Sequence, residues 1–113
     1  IIVDFHAEAT GEKKSLAYFL DGKITVLCGT HTHVQTADEK VLPGGTAYIT
    51  DLGMSGPENS VLGVKPELTI AMMKDKLPTR FETAGGDSVI NGCIITASRE
   101  SGLAEKIERI EIR

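Results

Sequence analysis

Ile24-Thr25-Val26-Leu27-Cys28-Gly29-Thr30-His31-Thr32-His33 is an apolar run that stops at a glycine and then alternates threonine with histidine. Residues 24–28 lack polar alternation, which reads as a strand buried on both faces. Just past its end come two imidazoles at positions i and i+2. Imidazole is the commonest protein ligand for mid-row divalent metals. In an extended backbone His31 and His33 share a face, because the strand period is two.

Upstream, residues 1–5 (Ile-Ile-Val-Asp-Phe) read as a second buried strand, followed by the remaining histidine, His6. Between the two strands Thr10 offers an N-cap. Residues 12–21 predict a helix with Leu16, Ala17, Phe19 and Leu20 as its apolar positions and Gly22 as its stop. Strand, helix, strand at this spacing is a βαβ unit with parallel strands. The carboxyl edge of such a sheet is where ligands bind, and it gathers His6, His31 and His33, the candidate metal ligands. No Cys-x-x-Cys accompanies them, which argues against a closed structural zinc site. Asp4, Glu8 and Asp38 are candidates to orient the imidazoles through their second ring nitrogens. Thr30 and Thr32 alternate away from the histidines, which suits packing or backbone support.

Downstream, residues 46–50 predict another strand. Asp51-Leu52-Gly53-Met54-Ser55-Gly56-Pro57 predicts an irregular loop. Two readings stay open for it: a tight structural turn with glycines at positive φ, or a pocket lining in which Asp51 or Ser55 meets a phosphate or ribose. Pro66 opens a helix over 67–76, with Leu68, Ala71, Met72 and Leu77 on one side. Residues 80–83 suggest a short strand. Residues 88–98 and 105–112 read as paired strands, with 99–104 short enough for a hairpin. A parallel first third and an antiparallel last third predict an α/β fold of mixed sheets covered by helices.

A chain of 113 residues holds one domain. Its net charge of −4 and lack of a basic stripe predict no stable nucleic-acid binding. No apolar run is long enough to span a bilayer. Cys28 and Cys93 are too few for a disulfide framework and read as buried thiols in a reducing, cytoplasmic compartment. The chain opens inside an apolar run without Met, so upstream sequence is expected.

Asp4-Phe5-His6 has the D-x-H form that opens the calcineurin-like metallophosphoesterases. The Gly-Asp and Asn-His motifs that should follow it do not occur in order, since Gly86-Asp87 lies after the H-x-H element. A different alignment fits. Asp4-Phe5-His6-Ala7-Glu8-Ala9-Thr10, residues 29–38 around His31 and His33, and Thr50-Asp51-Leu52-Gly53-Met54-Ser55-Gly56-Pro57 together resemble the YmdB-like bacterial metallophosphoesterases. Gly92-Cys93-Ile94 and Ile107-Glu108-Arg109-Ile110 are similar too, so the resemblance covers essentially the whole chain. One departure is Gly11, where the family pattern has Ser.

The resemblance implies part of a four-layer α/β/β/α calcineurin-like sandwich with mixed sheets. Residues 1–113 would be the C-terminal part of a single catalytic domain, its N-terminal half absent. It implies a metal-dependent phosphodiesterase acting on 2′,3′-cyclic nucleotides and related small phosphodiesters. The implied mechanism uses hydroxide bridging two divalent ions (Fe, Mn or Zn), with His6 and His31 on one ion and His33 on the other. The remaining ligands, and the histidine beside the leaving group, belong to the absent half. No residue of this chain is therefore assigned a catalytic role, and the chain alone is expected to be inactive. A homo-oligomer is compatible with this reading. The alternative is a non-catalytic metal-binding or regulatory module.

Overall fold

The computed structural model describes residues 1–113. Its elements are β1 (Ile2–His6), α1 (Thr10–Leu20), β2 (Val26–Thr30), β3 (Lys40–Val41), β4 (Ala47–Ile49), β5 (Gly56–Pro57), α2 (Pro66–Asp75), β6 (Ser88–Ala97) and β7 (Ala104–Ile112). They form a four-stranded sheet ordered β1-β2-β4-β3 and a three-stranded sheet ordered β5-β6-β7. The first is mixed: β1, β2 and β4 run parallel, and β3 pairs antiparallel to β4. The expected α/β class with mixed sheets is therefore present. The chain divides into two compact units, Ile1–Met54 with Asn91–Ile110, and Ser55–Ile90 with Glu111–Arg113.

In the first unit the strand period sorts two cores onto opposite faces of the central sheet. Val26 and Cys28 of β2 and Ala47 and Ile49 of β4 face one way and pack with Ala104 and Ile107 of β7, with Cys93 and Ile95 of β6 against them. The intervening Leu27 and Tyr48 face the other way, onto Ala17, with Leu16 and Leu20 of α1 packed alongside. Helix, sheet and hairpin thus make three layers. Because it is covered on both sides, β2 is uninterruptedly apolar from Val26 to Cys28. The end of α1 is tied to the β3–β4 turn, where the Asp21 carboxylate accepts the amides of Gly44 (2.8 Å) and Thr46 (3.2 Å). Cys28 and Cys93 are free thiols with their Sγ atoms 3.8 Å apart. Burial, and then the neighbouring Cys93, push the Cys28 thiol up to about 12.

In the second unit α2 starts on Pro66, whose missing amide costs nothing at that position, and ends on Lys76 in a left-handed conformation, φ 57°. Only Thr69 is buried along it. No helix of the chain is long and apolar enough to cross a membrane.

Several expectations need correction. Thr10 is not the N-cap of α1: Ala9 occupies that place without a side-chain cap, and Thr10 is already helical. Phe19, expected inside, is 69% exposed. Strand β2 begins and ends two residues later than predicted, since the ladder to β1 starts at the Ile2–Val26 pair. Residues 80–83 form no strand; Thr83 makes an isolated bridge to Val64. Conversely, β3 arises where no strand was predicted, and β5 in the stretch read as an irregular loop. Each is two residues long, too short to carry a periodic signal.

Candidate functional site

The parallel register explains how residues far apart in sequence meet. Strand β1 pairs with β2 so that His6 lies opposite Thr30, and the Ala7 amide donates to the Thr30 carbonyl at 3.3 Å. The residue after Thr30 is His31. Its Nδ1 lies 3.3 Å from Nε2 of His6, with the two rings edge to face and their centroids 5.1 Å apart. Two nitrogens bound to one tetrahedral ion at about 2.0–2.1 Å would be about 3.3 Å apart. The pair is thus spaced as two ligands of a shared cation.

The other nitrogen of His6 is held. The Thr30 hydroxyl donates to Asp4 Oδ1 at 3.3 Å, and its oxygen lies 3.1 Å from His6 Nδ1. With the hydroxyl proton committed to Asp4, Thr30 accepts the Nδ1 proton of His6, which leaves the lone pair on Nε2, the nitrogen facing His31. A hydrogen bond of this kind fixes the orientation of an imidazole ring. Asp4, expected to meet a ring nitrogen directly, reaches His6 only through Thr30. Thr30 itself does not point away from the histidines as expected. Asp38 instead accepts from the Thr36 hydroxyl (2.7 Å) and the Thr50 amide (3.1 Å). Glu8 is exposed.

The three histidines do not form one ligand group: nowhere does the structure set three or more His, Cys, Asp or Glu side chains together to hold a metal ion. The reason is the backbone. The segment after β2 does not continue as an extended strand, because His31 has φ 143° and His33 has φ 65°. A shared strand face is therefore lost. Both histidines are exposed, and both stand in a region that non-glycine residues seldom occupy.

Beneath this turn lies a buried ion pair that the sequence did not suggest. Lys13 is 0% exposed and Asp51 is 1% exposed. Lys13 Nζ lies 3.3 Å from Asp51 Oδ2 and donates to the Thr50 carbonyl at 3.1 Å. The same Oδ2 accepts the backbone amide of Thr32 at 2.8 Å, between the two histidines, while Oδ1 accepts the Gly53 amide at 2.9 Å. Burial raises the Asp51 carboxyl, but the amides of Thr32 and Gly53, with Lys13, outweigh it and hold the carboxyl below its ordinary value. Asp51 is consequently an interior acceptor, not a group lining a pocket. Gly53, with φ 81°, could not carry a side chain: a Cβ there would stand 2.8 Å from the Gln35 amide nitrogen. The structural-turn reading of this loop is the one that holds for Asp51 and Gly53. Gln35 adds a further tie, its side-chain amide donating to Gly92 O at 2.9 Å.

The family model described as YmdB-like protein matches residues 1–110. A 2′,3′-cyclic-nucleotide 2′-phosphodiesterase of Bacillus subtilis (strain 168) is 50% identical over 112 residues, which is 99% of this chain and 42% of that protein. Two solved structures superpose with a TM-score of 0.91 each. One is a hypothetical protein from Thermus thermophilus, 37% identical, matched over 98% of this chain and 43% of its own. The other is a novel phosphatase from Mycoplasma pneumoniae, 40% identical, matched over 97% of this chain and 40% of its own. The chain spans about two fifths of the length of the curated relatives it matches.

Proposed function

The chain belongs to the YmdB-like family, and from that membership we propose that it works within a metal-dependent phosphodiesterase acting on small phosphodiesters such as 2′,3′-cyclic nucleotides. The observation that carries the proposal is the His6–His31 pair. Two imidazoles meet 3.3 Å apart at the carboxyl end of parallel strands, one with its tautomer fixed from behind by Thr30 and Asp4. The names of the relatives, a cyclic-nucleotide phosphodiesterase and a phosphatase, support the reaction class.

In this reading His6 Nε2 and His31 Nδ1 would hold one divalent cation, and His33 would serve a second. When bound, such cations neutralise the phosphoryl oxygens during an in-line displacement. This chain's own contribution is to present neutral nitrogen ligands in fixed orientation. Two cations also call for anionic ligands, and in this proposal those come from outside these residues, in the length that the relatives have and this chain does not. The same addition would complete the four-layer sandwich, of which the first unit supplies three layers. The chain alone is then without hydrolytic activity.

The test is hydrolysis of a 2′,3′-cyclic nucleotide by the full-length protein loaded with Mn(II). His6→Ala and His31→Ala are each expected to lower kcat/KM by at least about 100-fold, the upper end of what losing a supporting group around a metal costs, with the circular dichroism spectrum unchanged. Full activity in either variant would end the ligand assignment. No hydrolysis by the unmodified protein would favour the metal-binding or regulatory module.

A further inference from the structure

A buried ion pair is a poor way to stabilise a protein. The cost of taking two charges out of water matches or exceeds their attraction, and apolar residues of similar size often do as well or better. Lys13 and Asp51 are both buried, so their presence calls for a purpose other than stability. Their contacts supply one. Asp51 is held by Lys13 and the Gly53 amide, and it spends the rest of Oδ2 on the Thr32 amide, the peptide group that separates His31 from His33. Lys13 reaches this point by passing under Gly29. A Cβ on Gly29 would stand 2.8 Å from Lys13 Cδ and 1.9 Å from the Thr50 carbonyl oxygen. Backbone bonds close the bracket: Leu52 donates to the Gly29 carbonyl at 2.9 Å and Thr36 donates to the Asp51 carbonyl at 3.1 Å. The two histidines meanwhile hold backbone angles that L-residues adopt only when something outside compels them.

We propose that Lys13 and Asp51 are positioning residues: a buried pair that clamps the Thr32 amide and so imposes the backbone of the 29–33 turn on which His31 and His33 are presented to a cation. The proposal rests on the reading of those histidines as metal ligands. Lys13 fixes the carboxylate, the carboxylate fixes one amide, and the amide fixes two imidazoles that neither charged residue touches. The chain of dependence is one-way, so its parts can be separated experimentally.

The experiment uses the full-length protein and two readouts besides activity: Mn(II) affinity by calorimetry, and hydrogen exchange of the Thr32 amide in metal-free protein. In Asp51→Asn, Mn(II) is expected to bind 10- to 100-fold more weakly, the range for loss of a group that orients metal ligands, and Thr32 exchange is expected to accelerate at least tenfold. The double variant Lys13→Met/Asp51→Leu removes both charges together. It is expected to recover thermal stability toward the parent while Mn(II) affinity stays reduced. Recovery of affinity along with stability in that double variant would make the pair merely structural and overturn the proposal, as would unchanged Thr32 exchange in Asp51→Asn. Should His31→Ala and His33→Ala bind Mn(II) as the parent does, the ligand reading fails by itself, and the exchange measurement still decides whether the clamp orders the turn.

Discussion

Helices α1 and α2 are nearly equal in length, and each buries one polar or charged side chain, but the two groups are satisfied in opposite ways. Thr69 of α2 donates to the Pro66 carbonyl three residues before it, at 2.8 Å. The bond is local and would form in any helix with that sequence. Lys13 of α1 finds its partners in Thr50 and Asp51, 37 and 38 residues away. The difference teaches how to tell a buried polar group that completes an element from one that couples the element to a site. The first is satisfied within its own turn, whereas the second has no partner until the rest of the unit has folded.

That contrast can be broken most directly at Lys13. Lys13→Met leaves the buried Asp51 carboxylate without its cation, and loss of one partner of a buried pair costs about 3–5 kcal/mol. Urea unfolding followed at α1 measures it, and a loss under about 1 kcal/mol would make the helix independent of the pair. The second effect is acid sensitivity. The Asp51 carboxyl is lowered on folding from its ordinary 3.8, so it contributes stability that is present above that value and lost as pH falls below it toward the folded value. Hydrogen exchange should show α1 losing protection in that window in the parent but not in Asp51→Asn. The smallest effect belongs to α2: Thr69→Val removes one local hydrogen bond, and the free energy of unfolding measured in urea should fall by no more than about 1 kcal/mol.

The same comparison marks what the sequence made legible. The parallel strands around α1, the helix opening at Pro66 and the β6–β7 hairpin were readable, because each is long enough to show a period or carries a turn residue with one meaning. His6 and His31 were readable as neighbours once the βαβ unit was recognised. Lys13 was not, although it left a trace: positions 13, 16, 17 and 20 make one apolar stripe of α1, and a lysine stands at its first place. Hydropathy places that lysine in water, and only the fold reveals the carboxylate that draws it inside. The backbone of the turn at His31 and His33 was hidden for a different reason. An H-x-H element reads as an extended strand, and nothing local announces that the backbone turns over at both histidines.

Those two turned-over residues have an evolutionary consequence. At φ 143° and φ 65°, His31 and His33 occupy conformations that glycine adopts freely and an L-residue adopts at a cost of about 1–3 kcal/mol. For folding alone, the best residue at each position is therefore not the one present. In a lineage relieved of the need for chemistry, these would be among the first positions to drift, and the drift would make the protein more robust. A descendant with glycine at either place would be a more durable protein with a record of lost function written in its backbone.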